Sequence, residues 1–209
     1  MISLTDPRGG VTKYVYDSNG NCIEKITPGQ TKVTMEYNSL GQVTALSSFV
    51  SDQTYRETFT YDILGRLTAK TDAEGYTTRI EYDHRGNVTA VVDALGQRVS
   101  AVQYDSMNRA VTSQDALGVE TAYSYDSAGN LVSQVTAGLK TGYSYDKSGR
   151  LLEVTDSIGG ITSQTFDAAG NVLSMTDAMG GKSSYHYDNM NRLLSETNAI
   201  GHSRSYTYN

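Results

Sequence analysis

Tryptophan is absent from the 209 residues, cysteine occurs once, proline twice and phenylalanine three times. Each shortage excludes something. One cysteine, Cys22, cannot close an internal disulfide. Two prolines leave no Pro-rich linker to divide the chain. No apolar run approaches the roughly 20 residues of a membrane-spanning helix, and the opening MISLTDPRGG lacks the charged-then-apolar pattern of a signal segment. Charge is sparse too: charged residues make up 19%, the net charge is −6, and the Lys and Arg are scattered. There is no basic patch, so no nucleic-acid partner is expected. With 38% apolar residues, a thick aliphatic core is not expected either.

Tyrosine and glycine are what the chain has, 16 and 20 of them, and they recur with a period. A Tyr-Asp or close variant begins at Tyr16, Tyr37, Tyr61, Tyr82, Tyr104, Tyr125, Tyr145, Phe166 and Tyr187, and again at Tyr208. The intervals are 21, 24, 21, 22, 21, 20, 21, 21 and 21 residues. Self-similarity at a short fixed period marks a repeat architecture. The motif is carried by Tyr16-Asp17 with Gly20, Tyr61-Asp62 with Gly65, Tyr82-Asp83 with Gly86, Tyr125-Asp126 with Gly129, Tyr145-Asp146 with Gly149, and Tyr187-Asp188 with Asn191. In the Gly column the exceptions are Asn108 and Asn191. Asn is the common non-Gly residue that tolerates positive φ, so the column predicts a left-handed position closing a type I turn with a bulge. Asp at the head of such a turn accepts a hydrogen bond from the backbone two residues on.

A second turn, mostly Asp-Ala-x-Gly, follows each Tyr by eleven residues, as at 72–75, 93–96, 115–118 and 177–180. Variants stand at 156–159 and 198–201, with looser forms at Thr27-Pro28-Gly29 and Thr136-Ala137-Gly138. Two turns per repeat leave two strands of about six or seven residues, roughly 20 Å each. Alternation places Tyr123 with Tyr125 and Tyr143 with Tyr145 on one face, with polar residues between them. An apolar column follows the turn: Cys22, Val43, Leu67, Val88, Ala110, Leu131, Leu151, Val172 and Leu193. Cys22 is therefore read as a small packing residue. The expected fold class is all-β: tandem hairpins of about 21 residues in one continuous array over 1–209. Some eighteen strands exceed the roughly ten that an open twisted sheet carries flat, so a curved, spiralling antiparallel sheet is expected over a propeller. The interval of 24 places 47–55 in a longer connection, and the extra residue between Gly96 and Tyr104 predicts a bulge. The chain begins and ends inside a repeat, and a fragment of a longer array is expected.

After the Gly column the residues read Arg66, Asn87, Arg109, Asn130, Arg150, Asn171, Arg192, strictly alternating. That implies a two-hairpin superunit of about 42 residues.

Chemistry outside the repeat is scarce. His84, His186 and His202 lack ligand spacing. The Asp columns recur every 21 residues, unlike the short glycine-dense repeats of calcium-binding β-rolls. No nucleophile elbow or phosphate loop is present. No catalytic, cofactor or metal residue is assigned, and no enzyme is expected. Stacked Tyr rings could bind sugars, which makes Tyr123, Tyr125, Tyr143 and Tyr145 candidate glycan contacts, but Tyr equally lines a thin sheet while its hydroxyl finds a partner.

The motif Tyr-Asp-x-x-Gly-Arg-Leu followed by Asp-Ala-x-Gly, as in 61–75, closely resembles the YD repeats of the Rhs family, which occur also in shell components of insecticidal toxin complexes and in teneurins. The resemblance covers essentially the whole chain. It implies a β-sheet shell that encloses a C-terminal toxin polypeptide until delivery, with further repeats and that cargo as partners. It implies a secreted or cell-surface bacterial protein. The alternative is an extracellular carbohydrate-binding or adhesion module using the Tyr-lined face. The family's shells often end in a self-cleaving Asp-Pro-x-Gly region. Asp6-Pro7-Arg8-Gly9 matches those letters but falls in register as an ordinary turn, and no protease role is assigned to it.

Overall fold

The computed structural model describes residues 1–50 and 52–209. Among these there are strands and turns and no helix. Two compact units are distinguished, 1–102 with 115–117, and 103–114 with 118–209. The first holds β1 (Ile2–Thr5), β2 (Val11–Tyr16), β3 (Cys22–Ile26), β4 (Lys32–Tyr37), β5 (Val43–Val50), β6 (Gln53–Tyr61), β7 (Leu67–Thr71), β8 (Thr77–Tyr82), β9 (Val88–Val92) and most of β10 (Arg98–Tyr104). The second holds β11 (Ala110–Asp115), β12 (Glu120–Tyr125), β13 (Leu131–Thr136), β14 (Leu139–Tyr145), β15 (Leu151–Thr155), β16 (Ile161–Phe166), β17 (Val172–Thr176), β18 (Lys182–Tyr187), β19 (Leu193–Thr197) and β20 (Ser203–Ser205). In each unit consecutive strands pair antiparallel, giving a meander of hairpins. This is the all-β hairpin-repeat class that the periodicity predicts.

Two kinds of hairpin alternate. Those closed by the Tyr-Asp turn are laddered up to the turn and shift register at the tyrosine, where Tyr61 pairs with Leu67 and Tyr145 with Leu151. Those closed by the second turn are often paired over only three residues. Thus β7 and β8 pair from Ala69↔Arg79 to Thr71↔Thr77, and β15 and β16 from Glu153↔Ser163 to Thr155↔Ile161. Beyond these pairs the strands part, leaving the carbonyls of Leu67 and Leu151 outside the ladder.

All nine positions of the Gly/Asn column have positive φ. Asn108 and Asn191 reach 61° and Gly65 79°. The turn is closed as expected, with the Gly65 N–H donating to Asp62 O and the Asp62 N–H to Arg66 O, each at 3.0 Å.

Burial is slight, and no large side chain is fully buried among the described residues. The most enclosed residues are small ones on the face opposite the tyrosines: Ala45 at 2%, Ala90 at 1%, Ser47 and Ser174. Ala45 pairs with Glu36 and Thr58, and Ser174 with Thr165 and Ser184. On a pleated sheet a small side chain is covered by its larger cross-strand neighbours. The wetter face therefore contains the tightest packing.

One departure from the sequence reading has a simple cause, and the two looser turns take forms of their own. Residues 47–55 do not form a long connection. The added residues lengthen β5 and β6 to eight and nine residues, paired from Ala45↔Thr58 to Val50↔Gln53. A ladder satisfies backbone groups that a loop would expose to water. Ser51 lies outside the described residues. In the turn beginning at Thr27, the left-handed residue is Gln30 (φ 63°) rather than Gly29, because the turn keeps its four-residue frame. At 136–138 the loop shortens to two residues, Ala137 and Gly138, both at positive φ, as a tight hairpin turn demands. The bulge expected before Tyr104 falls at Val99, skipped between Arg98↔Val92 and Ser100↔Val91.

Candidate functional site

The repeat motif converges on the Tyr-Asp turn. The Asp62 Oδ1 accepts the N–H groups of Leu64 and Arg66, each at 2.9 Å. Its Oδ2 accepts Arg66 Nε at 2.7 Å. Asp146 repeats this with Arg150 and Asp188 with Arg192. Where asparagine follows the Gly column, its side-chain amide takes the guanidinium's place: Asn21 Nδ2 donates to Asp17 Oδ2, Asn87 to Asp83 and Asn130 to Asp126, each at 2.9 Å. These donors hold the carboxyls below the ordinary carboxylate range. The backbone N–H of Arg66 is the main cause at Asp62 and that of Arg150 at Asp146. The side-chain amide of Asn130 is the main cause at Asp126 and that of Asn87 at Asp83. An acid held ionised in this way is a structural anion, not a proton donor near neutral pH.

Arginine then reaches the next repeat. The Arg66 guanidinium lies 4.6 Å from the centroid of Tyr82 and Nη1 donates to Asp83 O at 3.1 Å. Arg109 stacks on Tyr125, Arg150 on Phe166 and Arg192 on Tyr208, at 4.6, 4.6 and 4.7 Å. One guanidinium thus closes its own turn and clamps the following one. Asparagine closes its own turn and does not reach the ring of the next. Asn171 donates to Asn191 Oδ1 at 2.8 Å, a side-chain contact between turns with no ring beneath it.

The tyrosine hydroxyls fill the gaps left where the strands part. Tyr82 donates to Leu67 O, Tyr61 to Val43 O and Tyr125 to Ala110 O, all at 2.8 Å, and Tyr145 to Leu131 O at 2.9 Å. Tyr37 does the same to Cys22 O. Burial raises the phenols of Tyr37 and Tyr187. Phe166 has no hydroxyl, yet the corresponding carbonyl, Leu151 O, is satisfied by Gln164 Nε2 at 2.8 Å. The substitution of Phe for Tyr is compensated two residues earlier on the same strand face.

Of the candidate glycan residues, Tyr125 and Tyr145 have their hydroxyls committed in this way, while the Tyr123 hydroxyl lies 3.1 Å from Ser113 Oγ. Tyr143 stands opposite Val154. Each pair shares a face, as alternation predicts. Tyr16 is 43% exposed and packs against Tyr14, with ring centroids 6.5 Å apart. Sequence reading missed the forward clamp and the Gln164 bond. The Arg/Asn alternation was the available signal for the first. For the second it was the one polar residue among the partners of the motif aromatics. Among the described residues no cluster of three or more His, Cys, Asp or Glu could hold a metal. No helix there is long and apolar enough to cross a membrane, which says nothing of a β-barrel.

A tandem array of hairpins tied by one recurrent Tyr-Asp-Gly-Arg turn defines a class of repeat protein. The RHS repeat family model matches residues 37–77, 61–99, 82–120, 104–139, 125–161 and 166–199, well over half the sequence, and the chain belongs to that family. The fold is similar to that in the crystal structure of TcdB2-TccC3-TEV, with TM-score 0.71 and 16% identity over 97% of this chain and 14% of that one. TcdB2-TccC3 without its hypervariable C-terminal region gives TM-score 0.71 at 15% identity over 97% and 14%. The Tc holotoxin pore of Photorhabdus luminescens gives TM-score 0.63 at 14% identity over 98% and 15%. The chain thus spans about one-seventh of the length of these structures. A search of curated proteins found no match.

Proposed function

We propose that this chain is a wall segment of a β-sheet shell enclosing another part of the same longer, secreted polypeptide, a toxin-like cargo C-terminal to the repeats. The observation that carries this reading is the use to which the motif residues are put. Asp62, Arg66, Tyr82 and their counterparts spend their polar groups on their own turn or on a neighbouring hairpin. What repeats is a fastening, and fastening is what a wall needs. The likeness to TcdB2-TccC3 supports the fold of such a wall. Its mechanism is exclusion: ladders, and side chains such as Tyr82 and Gln164 where the strands part, satisfy the backbone of the wall, which admits no protease through it. The segment is non-catalytic in this reading.

The test is limited proteolysis of the full parent polypeptide, following the region downstream of the repeats. Resistance of that region while the repeats are intact, and digestion once they are opened by denaturant, is the expected result. Free cleavage from the start would mean that the repeats enclose nothing.

A further inference from the structure

In the second unit, the residue two before each motif aromatic is Tyr123, Tyr143, Gln164, Tyr185 and Tyr206. In strands β12, β14, β16 and β18 three rings and one amide occupy the same face. Gln164 does not stand where a ring would. Its side chain is drawn to Leu151 O by the bond that replaces the missing hydroxyl of Phe166. An apolar groove of about 480 Å³ opens beside it, lined by Leu152, Val154, Gln164, Met175, Ser183 and Tyr185 among others. Met175, directly opposite Gln164 in the ladder, is 48% exposed, and its sulfur is 3.9 Å from the Tyr185 hydroxyl.

We infer that this groove is a binding site for an aromatic side chain presented by a polypeptide segment. The repeat itself identifies the occupant, because in the flanking hairpins the same position holds a tyrosine ring. Leu152, Val154 and Met175 give the apolar contact area a planar ring needs, and a methionine sulfur beside a ring is a favourable contact. Ser183 and Tyr185 supply hydroxyls at the edge for a phenol. No Lys or Arg lines the groove and two carboxylates, those of Glu153 and Asp177, do, which disfavours an anionic ligand. The site does not depend on the shell reading.

The experiment uses the full 209-residue chain, methyl-labelled at Met and Leu, titrated with acetyl-Gly-Tyr-Gly-amide, acetyl-Gly-Leu-Gly-amide or methyl glucoside. The Tyr peptide is expected to shift the Met175 and Leu152 methyl resonances saturably, in the millimolar range suited to one buried ring. Gln164→Tyr, which restores the repeat, should fill the groove and weaken that binding about tenfold or more. Because it restores the residue type found in neighbouring hairpins, it is expected to fold, losing only the bond to the Leu151 carbonyl, and a cooperative melt lowered no further than that of Gln164→Ala verifies this. Gln164→Ala should keep the groove open and retain binding. Absence of saturable shifts, equal shifts in Gln164→Tyr, or stronger binding of the glucoside or the Leu peptide would each overturn the inference.

Discussion

Hairpins that follow an Arg turn and hairpins that follow an Asn turn share one backbone and differ in reach. At Asp146 and at Asp126 the carboxylate takes the same two kinds of backbone N–H, and the left-handed glycine sits in the same frame. Yet Arg150 continues onto the Phe166 ring and the Asp167 carbonyl, whereas Asn130 ends at its own aspartate. The closing of a turn and the joining of turns are thus separate tasks. Either residue performs the first; arginine performs the second with a stacked ring and a carbonyl, and asparagine at most with a single side-chain bond, as from Asn171 to Asn191. The alternation of period two in the sequence is an alternation of strong and weak joins.

The largest effect should come from what both classes share. Gly65→Val places a β-branched residue at φ 79° and is expected to cost about 2 kcal/mol or more, against well under about 1 kcal/mol for Gly65→Asn. Gly129→Val, in an Asn turn, should behave alike. Equal melting temperatures for the Val and Asn variants would remove the left-handed assignment.

Next come the hydroxyl bonds, which also ignore the alternation. Tyr82→Phe and Tyr145→Phe should each lose about 1 kcal/mol by leaving a carbonyl unpaired. Phe166→Tyr in a Gln164→Ala background should recover what Gln164→Ala alone loses. Failure of that rescue in chemical denaturation would show that the amide and the hydroxyl are not interchangeable.

The comparison itself is tested by exchange. Arg150→Asn should cost about 0.5–1 kcal/mol, the value of a partly exposed cation–π contact. Its coupling to Phe166→Leu in a double-mutant cycle should be clear, whereas Asn130→Ala coupled to Tyr145→Leu should show none.

The smallest difference between the classes is expected in acid. Both sets of turn carboxyls have folded pKa values lowered below their unfolded ones. Their contribution is complete above the ordinary carboxylate range and is lost as pH falls through the lowered folded values. Melting temperature should therefore be flat from neutral pH down to that range and decline below it, in Arg→Asn variants as in the parent. A decline that begins near neutrality would point to another titrating group.

Much of this was legible in the sequence, for a physical reason. A left-handed position favours Gly and, after it, Asn, so a column of Gly broken only by Asn108 and Asn191 names its own φ. Strand faces follow from alternation for the same kind of reason. What could not be read was where a flexible side chain points. Arg66 and Asn87 differ visibly in the sequence, but that the guanidinium turns forward onto the following ring depends on the spacing between turns in the folded sheet. Residues 47–55 misled because insertion length says nothing about whether added residues pair. Phe166 looked like a harmless variant, and its cost is hidden in Gln164.

The clamp has a consequence for how such a chain can change in length. Beyond its own turn, the guanidinium of Arg66 reaches only to the next repeat, and the motif hydroxyl of Tyr82 reaches back to the carbonyl of Leu67. A genetic crossover between two Arg turns would add or remove two hairpins and leave every guanidinium over an aromatic ring. A crossover between an Arg turn and an Asn turn would bring like turns together and break the rhythm. The array can thus grow by pairs of hairpins without disturbing the alternation.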